Sequence, residues 1–72
     1  MTNLKRIRKE KGFTQSRLAQ QLGVDQTTLS RYESGVLDIN KAEALVVYTM
    51  AQILECSVAD ILEGIGGKIK DE

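Results

Sequence analysis

Apolar residues return at spacings of three and four along most of this chain, and polar runs broken by glycine separate the segments. That period is helical. Leu4, Ile7, Arg8 and Lys11 form one stripe of a first helix over Leu4–Lys11, with Thr2 or Asn3 as its N-cap. Arg8 therefore stands at or near the inner face. A guanidinium held there needs a carboxylate or several carbonyls, and Glu33 is the candidate partner. Gly12 ends the helix, and Phe13, the only phenylalanine, fills the space under the turn.

The next stretch, TQSRLAQQLGVDQTTLSRYESG from Thr14 to Gly35, predicts two short helices and a tight turn. Thr14 caps the first, in which Leu18, Ala19 and Leu22 share a face. Gly23 supplies the turn, because glycine enters positive φ without a Cβ penalty. Asp25 is placed to cap a helix that starts at Gln26, and Gly35 ends it. Small Ala19, Gly23 and inward Leu29 complete a helix-turn-helix spacing. With Leu29 and Tyr32 turned inward, Gln26, Thr27, Thr28, Ser30 and Arg31 are left outside. Glutamine and arginine can make paired hydrogen bonds to base edges, and threonine offers a methyl or a hydroxyl. The competing reading is a solvated face on a small bundle.

Val36–Ile39 reads as a loop, and Asn40 as the cap of a long fourth helix to about Glu55. Its apolar set, from Ala42 through Leu54, is wider than one stripe. Either the helix is central to the bundle, or part of it meets a second copy of the protein. Ser57 and Asp60 form a capping-box start for a fifth helix holding Val58, Ile61 and Leu62, stopped at Gly64. The expected division is a domain over residues 1–63 and a flexible C-terminal tail over 64–72.

Composition narrows the chemistry. Seventy-two residues allow one domain, and the absence of proline favours an all-α fold. There is no histidine and a single cysteine, Cys56, so an intrachain disulfide is excluded and a metal centre is not expected. Cys56 reads as a packing thiol, and no catalytic residue, cofactor or small-molecule substrate is indicated. No apolar run approaches the ~20 residues of a membrane span, and no signal peptide opens the chain, so a cytoplasmic location is expected. Net charge is zero, but its distribution is uneven. Through Arg31 there are seven Lys/Arg against two acids; from Tyr32 onward there are three Lys against eight acids. Such a dipolar chain can orient a basic side toward nucleic acid.

The segments LKRIRKEKGFTQSRLAQQLGV, SRYESG and MAQILECSVADIL resemble the Cro/phage-repressor (xenobiotic-response-element-like) helix-turn-helix family over Leu4 to Leu62. The resemblance implies a compact five-helix, lambda-repressor-like bundle whose third helix enters the major groove of double-stranded DNA. It implies a bacterial or phage transcriptional regulator, commonly a homodimer on a palindromic operator. Gln26, Thr27, Thr28 and Arg31 are then the expected base contacts. Gln15, Arg17, Ser30, Ser34 and Lys41 are the expected phosphate contacts, with Gln15 also bracing Gln26. Arg8 and Glu33 match a structural ion pair. The segment Val36–Lys41 departs from the family pattern: it has no proline and carries a carboxylate, so its phosphate contacts rest on Lys41 alone. A protein-interaction module of antitoxin-like or anti-repressor type is the alternative function, and an enzyme a distant third.

Overall fold

Thr2 adopts an extended conformation and its hydroxyl accepts the Lys5 N–H, which starts α1 at Asn3–Glu10. This computed structural model describes residues 1–64; most of the expected tail, 65–72, lies outside the described residues. α2 spans Gln15–Leu22, α3 Gln26–Ser34, α4 Ala44–Leu54 and α5 Val58–Ile61. A 3-10 turn, Ile39–Lys41, stands between α3 and α4, and there is no strand among the described residues. The all-α, five-helix expectation thus holds.

The caps explain the boundaries. Thr14 Oγ1 accepts the Arg17 N–H at 3.1 Å and opens α2. Gly23, at φ 74°, closes α2 in the left-handed conformation that lets α3 turn back across it. Asp25 holds the N-cap backbone position of α3, but its side chain makes no capping hydrogen bond. Ser57 and Asp60 form the expected capping box, and the hydrogen bonds from Ser57 hold the Asp60 carboxyl below its ordinary range.

Leu4, Leu18, Leu29, Met50, Leu54 and Ile61 are fully buried and tie all five helices into one core. α2 packs on α3 and α4, α1 packs on α3 and α5, and α4 packs on α5. Ala19 is buried where α2 runs against its neighbours, as its size suggests. Tyr32 and Phe13 are half-buried against this core.

Two sequence expectations are corrected. Asn40 does not cap α4. It lies inside the 3-10 turn, which Asp38 caps by accepting the Asn40 N–H at 2.9 Å. The Asn40 side chain goes elsewhere: Nδ2 donates to the Glu63 carbonyl at 2.8 Å and Oδ1 accepts the Glu63 N–H at 2.9 Å. The fourth helix is therefore shorter, beginning at Ala44 after Glu43, which makes no side-chain cap. The fifth helix is also shorter, because Leu62 is extended. Its carbonyl accepts Asn3 Nδ2 at 2.8 Å, and the Glu63 carboxylate accepts the Asn3 N–H at 2.6 Å. These four bonds clasp residues 62–63 against the start of the chain and the 3-10 turn.

Glu55 closes α4 at φ 56°, the one left-handed non-glycine among the described residues. The Cys56 N–H reaches back to the Ala51 carbonyl at 3.0 Å, which holds Glu55 there. Glycine relieves the steric cost of that conformation but is floppier when unfolded, so Glu55→Gly should raise stability by about 0.5–1 kcal/mol. Urea unfolding checks this; an unchanged or lower midpoint counts against the strain.

Candidate nucleic-acid interface

The interface is built outward from a buried ion pair. Arg8 is 7 % exposed and Glu33 3 %. Arg8 Nε donates to Glu33 Oε2 at 2.6 Å and Nη2 to Oε1 at 3.1 Å, a two-point fork, while Nη1 donates to the Phe13 carbonyl at 2.7 Å. Thr2 Oγ1 donates to the Glu33 carbonyl at 2.8 Å. No buried side-chain polar atom among the described residues lacks a partner. The expected Arg8–Glu33 contact is therefore formed, and it joins α1, the turn before α2, and the last turn of α3.

The network continues to the surface. Gln15 Nε2 donates to Glu33 Oε1 at 3.2 Å, and Gln26 Nε2 donates to Gln15 Oε1 at 3.3 Å. The expected bracing of Gln26 by Gln15 is thus present, and it runs inward to Glu33. That inner link was not read from the sequence. Its signal was a glutamine at the first position of α2 together with an acid on the inner face of α3.

Gln15, Gln26, Thr27, Ser30 and Arg31 line one open hollow of 410 Å³. All but half-buried Gln15 are exposed, and Arg31 makes no ion pair among the described residues. Thr28 is half-buried and stands outside the lining. Arg17 is exposed on α2 with its guanidinium 5.5 Å from the Phe13 ring centroid, a cation–π contact that steadies it. Ser34 is exposed, but its hydroxyl donates to the Arg31 carbonyl at 3.2 Å and accepts the Val36 N–H at 3.4 Å, so it is engaged in the turn. Lys41 is exposed on the 3-10 turn, apart from the hollow.

The hollow can hydrogen-bond and carries the Arg31 guanidinium, which has no ion-pair partner among the described residues. At its side, the N-terminus of α2 offers unpaired N–H groups and a partial positive charge. Such an edge suits an anion such as phosphate. Cys56 stands apart from it; burial first, and then the Asp60 carboxylate, push its thiol up, so at neutral pH it is the protonated form. No group of metal-ligating side chains occurs among the described residues, and no helix there is long and apolar enough to cross a membrane.

Two short helices crossing at a left-handed glycine, the second presenting a polar outer face, define a helix-turn-helix protein. Residues 4–61 match the family model described as helix-turn-helix, and the chain belongs to that family, in its Cro-type branch. Its fold is similar to the crystal structure of SinR, the master regulator for biofilm formation, in complex with DNA. The identity is 30%, the TM-score 0.73, and the match covers 83% of this chain and 95% of that one. It is also similar to the solution structure of the N-terminal DNA-binding domain of SinR from Bacillus subtilis, with 28% identity and a TM-score of 0.65 over 90% of this chain and 94% of that one. No curated protein sequence matches the chain.

Removing one partner of the ion pair leaves a buried charge unmatched, so Glu33→Leu should cost about 3–5 kcal/mol. Adding Arg8→Met should recover most of that loss, because two apolar side chains replace the pair. Thermal or urea unfolding of the single and double variants checks both statements. Additive losses would show that the pair is not coupled.

Proposed function

We propose that this chain is a sequence-specific double-stranded DNA-binding regulator of transcription, of bacterial or phage type, acting in the cytoplasm. The observation that carries the reading is the hollow where Gln15 of α2 meets Gln26, Thr27, Ser30 and Arg31 of α3. An exposed helix face with paired-donor side chains fits the major groove, where base edges are distinguishable. The bound DNA of the SinR complex, on a related fold at 30% identity, supports the same use here.

In this reading Gln26, Thr27 and Arg31 reach base edges, with Thr28 at their margin. Gln15, Arg17, Ser30 and Lys41 hold phosphates and set the register, and Ser34 joins them by turning its O–H from the Arg31 carbonyl to a phosphate. Arg17 is braced for this by Phe13, and Gln15 by Glu33. Lys41 extends the contact beyond α3, in place of the basic loop that Val36–Asn40 lacks.

The operating form is a homodimer. Leu45 is 73% and Tyr48 54% exposed, outside the buried stripe of Val47, Met50, Ala51 and Leu54. Tyr48 borders an apolar groove of 380 Å³ that also takes in Ala42, Val47, Val58 and Leu62. A dimer sets two α3 helices about 34 Å apart, one turn of B-DNA.

If each subunit neutralises three or four phosphates, affinity should fall with salt at a log–log slope of roughly −5 to −7. Gel shifts across a salt series measure it, and salt-independent or absent duplex binding would overturn the function. Gln26→Ala and Arg31→Ala should each relax preference at one base position, by about 1–3 kcal/mol. Selection from a random duplex pool reads this out; unchanged consensus sequences in both variants would remove these residues from base reading. Tyr48→Asp should move the protein toward monomer in sedimentation equilibrium and weaken operator binding while its melting stays cooperative. An unaltered dimer would place the interface elsewhere.

A further inference from the structure

α2 and α5 open in different ways. In α5, Ser57 and Asp60 close a capping box, each side chain accepting the other's backbone N–H. Thr14 is the equivalent cap of α2, and its hydroxyl accepts the N–H of Arg17. A box there needs a carboxylate or an amide at the position that Arg17 holds. No acid stands in the first turn of α2. The chain thus places a cation at the positive end of a helix dipole, against the local electrostatic preference. In natural sequences such departures concentrate at functional positions, where stability is given up for another task.

The Arg17 side chain is held, and held open. Its guanidinium lies 5.5 Å from the Phe13 ring centroid and makes no ion pair among the described residues. Phe13 is itself fixed by Arg8 at both backbone groups. Its N–H donates to the Arg8 carbonyl at 3.1 Å, and its carbonyl accepts Arg8 Nη1 at 2.7 Å. The ring is half-buried against the core. A guanidinium resting on a ring face keeps its in-plane N–H donors free. Ordering a loose arginine on a ligand costs rotamer freedom, and a ring that already holds it removes part of that cost.

We infer that Arg17 and Phe13 form a preorganised phosphate clamp for which α2 forgoes its capping box: Arg17 takes a phosphate of the duplex backbone, and Phe13 is its positioning residue. The inference rests on the DNA-binding reading above and adds to it an opposition between affinity and stability. The guanidinium fork matches two phosphate oxygens. In the complex, the phosphate brings the negative charge that the first turn of α2 lacks.

Four altered proteins test the clamp beside the wild type. Arg17→Gln removes the charge, and Arg17→Glu also restores the acid of a capping box. Arg17 is exposed, so neither change disturbs the core. Pentafluorophenylalanine in place of Phe13, the only phenylalanine, keeps the ring's shape and takes away its negative face. The fourth protein joins that analogue to Arg17→Gln. Gel shifts on a random-sequence duplex over a salt series read affinity, and circular dichroism melts read stability. Arg17→Gln should bind about tenfold more weakly, the worth of one charge-assisted hydrogen bond. Its log–log salt slope should be shallower by about 0.9, one phosphate. Arg17→Glu should bind more weakly still and yet melt about 2–8 °C higher. The ring analogue alone should weaken binding about two- to fivefold, and add nothing on top of Arg17→Gln.

An unchanged salt slope in Arg17→Gln would remove the phosphate contact. A ring analogue that weakens binding equally with and without Arg17 would leave Phe13 a packing residue. Arg17→Glu melting at or below wild type would show that α2 gives up no stability at this position. A wild-type chain that retains no duplex at low salt overturns the DNA-binding reading itself, and the clamp falls with it. A wild type with salt-dependent binding that all four altered proteins reproduce overturns only the clamp.

Discussion

The bidentate bond between Arg8 and Glu33 is the constraint from which the rest of the structure takes its geometry. Taking two charges out of water is expensive, and their attraction repays it only when the remaining donors and acceptors are also satisfied. Here they are: Phe13 gives a carbonyl to the third guanidinium nitrogen, and Gln15 and Arg8 share a carboxylate oxygen. Each of those bonds fixes a different part of the chain. α1 is tied to the end of α3, the turn after α1 is pinned to its own helix, and the first residue of α2 is drawn toward α3. An apolar pair of equal volume would fill the space without specifying these angles. The outer face of α3 is thus aimed by an interaction on its inner face.

Much of this arrangement was legible in the chain because it depends on neighbours three or four residues apart. The stripe of Leu4, Ile7 and Arg8 put a charge inside before any partner was visible, and Glu33 proved to be that partner. Thr14, Gly23, Gly35 and Ser57 mark helix ends by chemistry that acts within one turn, and all four stand where expected. Asn40 misled for a physical reason. An asparagine before an apolar helical run is a good cap, but its amide had a better offer from Glu63, 23 residues away. Leu62 left the helical pattern for the same kind of reason, a bond to Asn3 across 59 residues. Pairings of that separation have no local signature. The left-handed Glu55 is likewise invisible in a pattern where glycine is the usual sign.

The face of Gln26, Thr27, Ser30 and Arg31 was also legible, since it is what remains once Leu29 and Tyr32 are turned inward. The inward extension of that face was not. Hydrogen-bond direction between amides depends on which atom a third residue offers, and Glu33 is far from Gln15 in sequence. The width of the apolar set on α4 left two readings open, the centre of the bundle or contact with a second copy, and the structure shows the first. One side of the helix is core, and outside it Leu45 and Tyr48 stand in the open.

The clasp at residues 62–63 bears on how the chain is made. α1 packs on α5 and α3, and its first backbone amide is satisfied by a carboxylate sixty residues later. A nascent chain therefore carries α1 without its final partners until Ile61 and Glu63 have left the ribosomal tunnel. Contacts between residues this far apart in sequence are slow to close. The α2–α3 pair, whose contacts are local, can thus form early, and it is locked in place only when residues 61–63 are free to close on α1.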